Sequence, residues 1–123
     1  QKVSIGTIPG LKYDVEEITI NRNSKIEFTL NNNDDMIHNV VITNKQGKDA
    51  ALKVGQDALG LGLDGPDLNY VPFSDLVLAH SGTVGPEGSE TIYFTSPNEP
   101  GEYWIVCTFP GHYLTMLTKL IVK

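Results

Sequence analysis

The chain has 123 residues, of which 40% are hydrophobic and 20% charged, and this composition is typical of a single soluble globular domain, residues 1–123. Nine basic against fifteen acidic residues give a net charge of −6, which argues against nucleic acid as a partner. No apolar run is long enough to cross a membrane, and none resembles a signal-peptide core. Because the chain begins at Gln1, we interpret it as a processed or trimmed form, or as a module cut from a longer protein.

Most of the chain alternates apolar and polar residues with the period of two that is typical of β-strands. Clusters of glycine, proline, asparagine and serine separate these stretches, as expected of turns. The predicted strands are, in chain order, Lys2–Thr7, Ile18–Ile20, Lys25–Leu30, Ile37–Thr43, Leu76–His80, Glu90–Thr95, Glu102–Cys107 and Thr118–Val122. About eight short strands with this punctuation predict a two-sheet β-sandwich.

The segment Lys48–Tyr70 is the exception to the strand pattern. Its apolar residues between Ala50 and Leu59 are spaced for one or two helical turns, which Gly60 and Gly62 would end. We therefore predict a flap outside the sandwich that is partly helix and partly loop.

The stretch CTFPGHYLTM, Cys107 to Met116, contains the only cysteine, one of three histidines and one of two methionines in the chain. The alternation of the preceding strand places Tyr103, Ile105 and Cys107 on its core-facing side. The proline and glycine that follow require a turn. The stretch is therefore predicted to be a loop that joins two strands at one end of the sandwich.

Such a loop can bring Cys107, His112 and Met116 to a common point. His38, at the start of the predicted strand in MIHNVVI, is the natural fourth ligand. Two imidazoles, one thiolate and a weakly bound thioether are the ligands of a type 1, or blue, copper centre. The spacing predicts one copper ion per chain, and it outweighs the reading of Cys107 as a small buried hydrophobe and of His38 as a core histidine.

The same stretch resembles the copper loop of the azurins and auracyanins, which are cupredoxins. HNVVI resembles the upstream ligand strand of that family, and LVLAHSG resembles the stretch after its helical flap. The resemblance covers most of the chain and implies an all-β, cupredoxin-like two-sheet Greek-key sandwich with a short, partly helical flap. It also implies that His38, Cys107 and His112 are equatorial copper ligands and that Met116 is the axial ligand.

The resemblance implies roles for residues around the ligands. Asn39 would tie the two ligand loops together, with Thr108 as its hydrogen-bond partner. The backbone N–H groups of Asn39 and Phe109 would donate to the Cys107 sulfur and so tune the reduction potential. The sequence also departs from the azurins, because Ile37 stands in the place of a glycine and a single cysteine excludes their disulfide.

The function implied is one-electron transfer between redox protein partners that dock transiently. We expect the imidazole edge of His112 to reach the surface inside an apolar docking patch that includes Pro110, Tyr113, Leu114 and Met36. We also expect a monomeric domain that is not an enzyme and that works in the periplasm or elsewhere outside the cytoplasm.

Two other classes of function use the same residues. A hydrolase would need Cys107 as nucleophile and His112 as base, but an inward-facing cysteine gives a substrate poor access. Enzymes with several copper centres need more than the three histidines present, and we expect His80 to be a solvated strand-end residue. A copper- or zinc-binding module of a larger protein, with a handling or structural role, is the remaining alternative.

Overall fold

Nine β-strands form two sheets in the computed structural model, which describes residues 1–123. The first sheet has the strand order β2-β1-β4-β7 and the second the order β3-β9-β8-β5-β6. The strands are β1 (Lys2–Ile8), β2 (Lys12–Tyr13), β3 (Glu17–Ile20), β4 (Lys25–Asn31), β5 (Val41–Thr43), β6 (Val77–His80), β7 (Ser89–Thr95), β8 (Gly101–Val106) and β9 (Leu117–Val122). The predicted two-sheet sandwich is confirmed, and the strand that the sequence analysis missed is the short β2, which pairs with the end of β1.

Alternate residues of the strands fill the space between the two sheets. In β4 these residues are Ile26, Phe28 and Leu30, and in β9 they are Leu120 and Val122. Each is at most 2% exposed, and burying a side chain of this size contributes about 1.5–3 kcal/mol to folding. The period of two in the sequence therefore arises because each strand buries one of its two faces.

Alternate residues of β8 point to opposite sides of the sheet, as the sequence predicts. Tyr103, Ile105 and Cys107 belong to the main core, and Trp104 and Val106 contribute to a smaller cluster on the other face of the sheet. The inward direction of Cys107, which follows the last residue of β8, is thereby confirmed.

The flap contains more helix than the sequence analysis predicts. Helix α1 spans Lys48–Leu59, about three turns, and two 3-10 turns follow it at Gly62–Asp64 and Pro66–Leu68. The buried residues Ala51 and Val54 pack in one cluster with Val41 of β5 and Val106 of β8, and this packing sustains the extra turn. None of the helices is long and apolar enough to span a membrane.

The strand predicted at Ile37–Thr43 is shorter in the structure, where β5 comprises only Val41–Thr43. The preceding backbone is bonded partly to side chains and partly to the backbone of other connections. The N–H of Val40, for example, donates to Ser81 Oγ at 3.0 Å. This irregular backbone carries His38 and Asn39 to the end of the sandwich.

Candidate metal centre

The stretch from Cys107 to Met116 is a hairpin loop between β8 and β9, as predicted. The Cys107 N–H donates to the Met116 carbonyl at 3.1 Å, which closes the loop at its base. The Met116 N–H in turn donates to the His112 carbonyl at 2.9 Å. These two backbone bonds fix all three residues relative to one another.

A tight turn inside this loop positions His112. The His112 N–H donates to the Phe109 carbonyl at 3.0 Å, and Pro110 and Gly111 occupy the central positions. Gly111 has a φ of +86°, which a type II turn requires and which glycine adopts without strain. The dipeptide Pro-Gly in the sequence therefore dictates where the second imidazole lies.

His38 reaches the loop from an isolated β-bridge with Val84. The two residues exchange both backbone hydrogen bonds, at 3.1 and 2.8 Å. The His38 side chain is fully buried, which leaves it little freedom to reorient. The first ligand segment is thus anchored to the connection between β6 and β7.

The side chains of His38, Cys107 and His112 converge. Their ligand atoms all lie within 4.8 Å of one another, and the Cys107 sulfur is 3.9 Å from His38 Nδ1 and 3.6 Å from His112 Nδ1. Bonds of about 2.0 Å to nitrogen and about 2.3 Å to sulfur, as zinc makes them, would place two trigonal ligands about 3.7 Å apart. The three residues therefore fit one metal ion, with both imidazoles presenting Nδ1.

The environment of the ligands favours a neutral imidazole at His112 and a protonated thiol at Cys107 in the absence of a cation. Burial lowers the pKa of His112, and the neighbouring His38 lowers it further. Burial also raises the pKa of the Cys107 thiol to about 11, against the opposing effect of hydrogen bonds from the backbone N–H groups of Asn39 and Phe109. Those two donors are the ones predicted, and a bound cation would supply the positive charge that a buried thiolate needs.

Asn39 joins the two ligand segments as predicted. Its Oδ1 accepts from the Thr108 N–H at 2.8 Å, and its Nδ2 donates to Thr108 Oγ1 at 2.9 Å. Two partners of Asn39 are absent from the sequence analysis. Its Nδ2 also donates to the Asn69 carbonyl at 3.0 Å, and its own carbonyl accepts from the Tyr13 hydroxyl at 2.6 Å.

A row of aromatic rings runs from the flap to the site. Tyr70 meets Phe109 edge-on with ring centroids 4.9 Å apart, Phe109 lies 4.9 Å from His112, and His112 lies 5.1 Å from His38. Tyr70 and the preceding Asn69 both have positive φ values, 59° and 53°. Such backbone is costly for residues other than glycine, so its presence in the segment that covers the site points to a constrained local structure.

Asp34 is the residue of the site that sequence reasoning missed. Its Oδ2 lies 2.8 Å from His38 Nε2, on the side of the ring opposite the sulfur. This hydrogen bond is the largest cause that lowers the pKa of Asp34, and the backbone N–H of Asp35 lowers it further. The i, i+4 spacing of Asp34 and His38 is the only feature of the sequence that relates the two residues, and outside a helix this spacing does not predict a contact.

The residues predicted to form a docking patch differ in their exposure. Leu114 is 65% exposed, Met36 is 42% exposed, and Pro110 is exposed as well. Tyr113 is half-buried against α1, where a side chain on Gly55 would collide with it.

The exposure of His112 is smaller than predicted. The residue is only 3% exposed, since Phe109 packs beside its ring. Met116 is fully buried in the same core cluster as Cys107. His80 is exposed at the end of β6, as expected.

The plastocyanin/azurin family of copper-binding proteins matches residues 2–123 of the chain. Azurin-1 of Alcaligenes xylosoxydans xylosoxydans is 32% identical in an alignment that covers 93% of this chain and 91% of that protein. Auracyanin-A of Chloroflexus aurantiacus is 29% identical over 114 residues, which cover 92% of this chain and 68% of the relative.

Solved structures agree with these relatives. The dithionite-reduced auracyanin of Roseiflexus castenholzii superposes with a TM-score of 0.88 at 33% identity, over 99% of this chain and 96% of the other. Auracyanin A of Chloroflexus aurantiacus, described as a "blue" copper protein, superposes with a TM-score of 0.89 at 28% identity, over 100% and 98% of the two chains. Sandwich and ligand set together define a cupredoxin, and the chain belongs to the plastocyanin/azurin family of copper-binding proteins.

Proposed function

We propose that this protein carries single electrons between redox partners by means of one type 1 copper ion. The observation that carries the proposal is the convergence of two buried imidazoles and one buried thiol within 4.8 Å at the end of a rigid sandwich. His38, Cys107 and His112 would hold the metal as equatorial ligands, and Met116 would be the weak axial ligand. When bound there, copper would accept and release one electron by cycling between Cu(II) and Cu(I).

The chain would contribute a fixed geometry. The loop is closed by the backbone bond from Cys107 to Met116, and His38 is anchored by its bridge to Val84. Ligands held in this way move little when the charge of the site changes, so an electron can arrive or leave without rearrangement of the protein. The burial of all four side chains also keeps water away from the metal.

Metal loading and visible absorption test the proposal. We expect the Cu(II) protein to be intensely blue because of charge transfer from the thiolate, and we expect Cys107→Ala to abolish the colour. His80→Ala is the matched control, since this exposed histidine lies outside the site and its loss should leave the absorption unchanged. A colourless wild-type protein with one bound Cu(II) ion would contradict the carrier function and favour a handling or structural role.

The physiological setting is also part of the proposal. We propose that the protein is monomeric, is not an enzyme, and meets its partners through the exposed apolar residues around His112, chiefly Leu114, Pro110 and Met36. We further propose a periplasmic or otherwise extracytoplasmic location. Fractionation of cells that carry the natural gene tests the location, and sedimentation of the copper-loaded protein tests the monomer.

A further inference from the structure

A carboxylate lies directly behind one of the candidate metal ligands. Asp34 Oδ2 is 2.8 Å from His38 Nε2, and the two side chains are 8% and 0% exposed. Because His38 turns Nδ1 toward the Cys107 sulfur, at 3.9 Å, a metal there would require the lone pair on Nδ1. The proton of the neutral ring then lies on Nε2 and is donated to Asp34.

Asp34 is itself held in place by a buried polar network. The Asp35 N–H donates to Asp34 Oδ1 at 2.8 Å, and the Asp34 N–H donates to Asn32 Oδ1 at 3.0 Å. Asn32 Oδ1 also accepts from Thr7 Oγ1 at 3.0 Å, and Asn32 Nδ2 donates to the Val84 carbonyl at 2.8 Å. The Asp34 carboxylate therefore has a fixed position relative to His38. An exposed carboxylate without these hydrogen bonds would be mobile.

We propose that Asp34 is a positioning residue that fixes the His38 tautomer and lowers the reduction potential of the copper centre. The proposal rests on the proposed function and adds the residue that tunes it. A carboxylate bonded to the far nitrogen makes the imidazole a stronger donor, and its buried negative charge favours the more positive metal state. Both effects stabilise Cu(II) relative to Cu(I).

The test compares two variants that each remove one negative charge. Asp34→Asn keeps the shape of the side chain, and we expect it to shift the redox equilibrium toward Cu(I) at least tenfold, which for one electron is about 59 mV in potential. Asp35→Asn is the matched control. Its side chain is exposed and does not contact His38, and the variant keeps the backbone N–H that Asp34 accepts. We expect a shift of less than threefold for Asp35→Asn.

If Asp34→Asn loses its copper, a measurement on the wild-type protein still tests the proposal. In the diamagnetic Cu(I) protein, proton–nitrogen NMR should show a hydrogen-bonded proton on His38 Nε2, far downfield. Absence of that proton from Nε2 in the wild type overturns the proposal, as does an equal shift of potential in both variants or no shift in Asp34→Asn. If the wild type is blue in its Cu(II) form, such a result leaves the carrier function intact, whereas a colourless Cu(II) form of the wild type contradicts the carrier function itself.

Discussion

Asn39 is the residue at which three parts of the chain meet. Its side chain binds Thr108 in the ligand loop and Asn69 in the flap, and its carbonyl accepts from Tyr13, the last residue of β2. Because these polar groups are buried, loss of the amide leaves partners in the ligand loop and the flap without a hydrogen bond. Such a loss costs about 1–3 kcal/mol.

We therefore expect Asn39→Ala to reduce the free energy of unfolding by about 1–3 kcal/mol and to speed the loss of copper, without removing a ligand. Denaturant titration and the rate of copper transfer to a chelator measure the two effects. The control is Asn21→Ala, which truncates an exposed asparagine and should change stability by less than about 0.5 kcal/mol. Equal stability and copper retention in the wild type and Asn39→Ala would contradict the role of Asn39 as a tie.

Met116 should act through the metal. We expect Met116→Leu to keep both copper and the blue colour and to raise the reduction potential, because loss of a weak axial donor destabilises Cu(II) more than Cu(I). Voltammetry and the visible spectrum measure these properties. An unchanged potential would place the Met116 sulfur outside the coordination sphere, and complete loss of copper binding would show that it is an essential ligand.

At the level of residues, the sequence predicts contacts for which a known spacing exists and misses those that depend on how the chain is folded. Cys107 and His112 share one short loop, so their spacing alone indicates a common point. Asp34, by contrast, lies four residues before His38 in the connection between β4 and β5, a spacing that indicates no contact outside a helix, and only the folded chain shows that its carboxylate meets the ring. The flap residue Asn69 was missed for the same reason.

At the level of elements, α1 acts as a support for the ligand loop. Gly55, in the middle of the helix, lies against Tyr113, which directly follows His112 in the loop. A β-carbon at this position would collide with the base of the tyrosine side chain, which cannot swing away as a flexible tip can. The close approach explains a glycine where helix propensity alone would favour alanine.

Gly55→Ala tests this packing. At an exposed position of a helix this change would raise the free energy of unfolding by about 1 kcal/mol. Here we expect it to lower the free energy of unfolding by about 1–3 kcal/mol, because there is no space for a methyl group between Gly55 and Tyr113. Gln56→Ala, at an exposed position of the same helix, should change stability by less than about 0.5 kcal/mol. Thermal unfolding of both variants measures the difference, and a more stable Gly55→Ala would show that Tyr113 has room to move.

The strands could be predicted better than the flap for a physical reason. A strand of a sandwich buries one face along its whole length, so every second residue of the strand is apolar and the sequence alone predicts it. The extra turn of α1 depends on contacts with β8 and β5, which no local pattern contains. The short β2 likewise exists only because it pairs with β1.

At the level of the whole molecule, the site joins the two layers of the sandwich. His38 and Cys107 come from segments next to β5 and β8 in one sheet, and Asp34 follows β4 in the other. Only His112 among the equatorial ligands retains any exposure, at 3%. A partner that approaches this end of the sandwich therefore comes nearest to the metal at His112.

The exposed residues around His112 decide how closely a partner can approach. Leu114, two residues further along the loop, is 65% exposed, and an apolar side chain there can be covered at little cost. A carboxylate in its place must be desolvated on docking, which is expensive when it has no partner. We expect Leu114→Asp to slow electron self-exchange about tenfold, which corresponds to about 1.4 kcal/mol, and to leave the blue absorption unchanged.

Leu63→Asp is the matched control for this change, because it adds the same charge at a fully exposed leucine of the flap. NMR exchange measurements at equal ionic strength compare the two variants with the wild type. A greater effect of Leu114→Asp would locate the electron's exit beside His112, since both variants change the net charge equally. Equal rates in all three proteins would mean that the electron leaves elsewhere, and a shifted absorption in Leu114→Asp would mean that Leu114 supports the ligands rather than the partner.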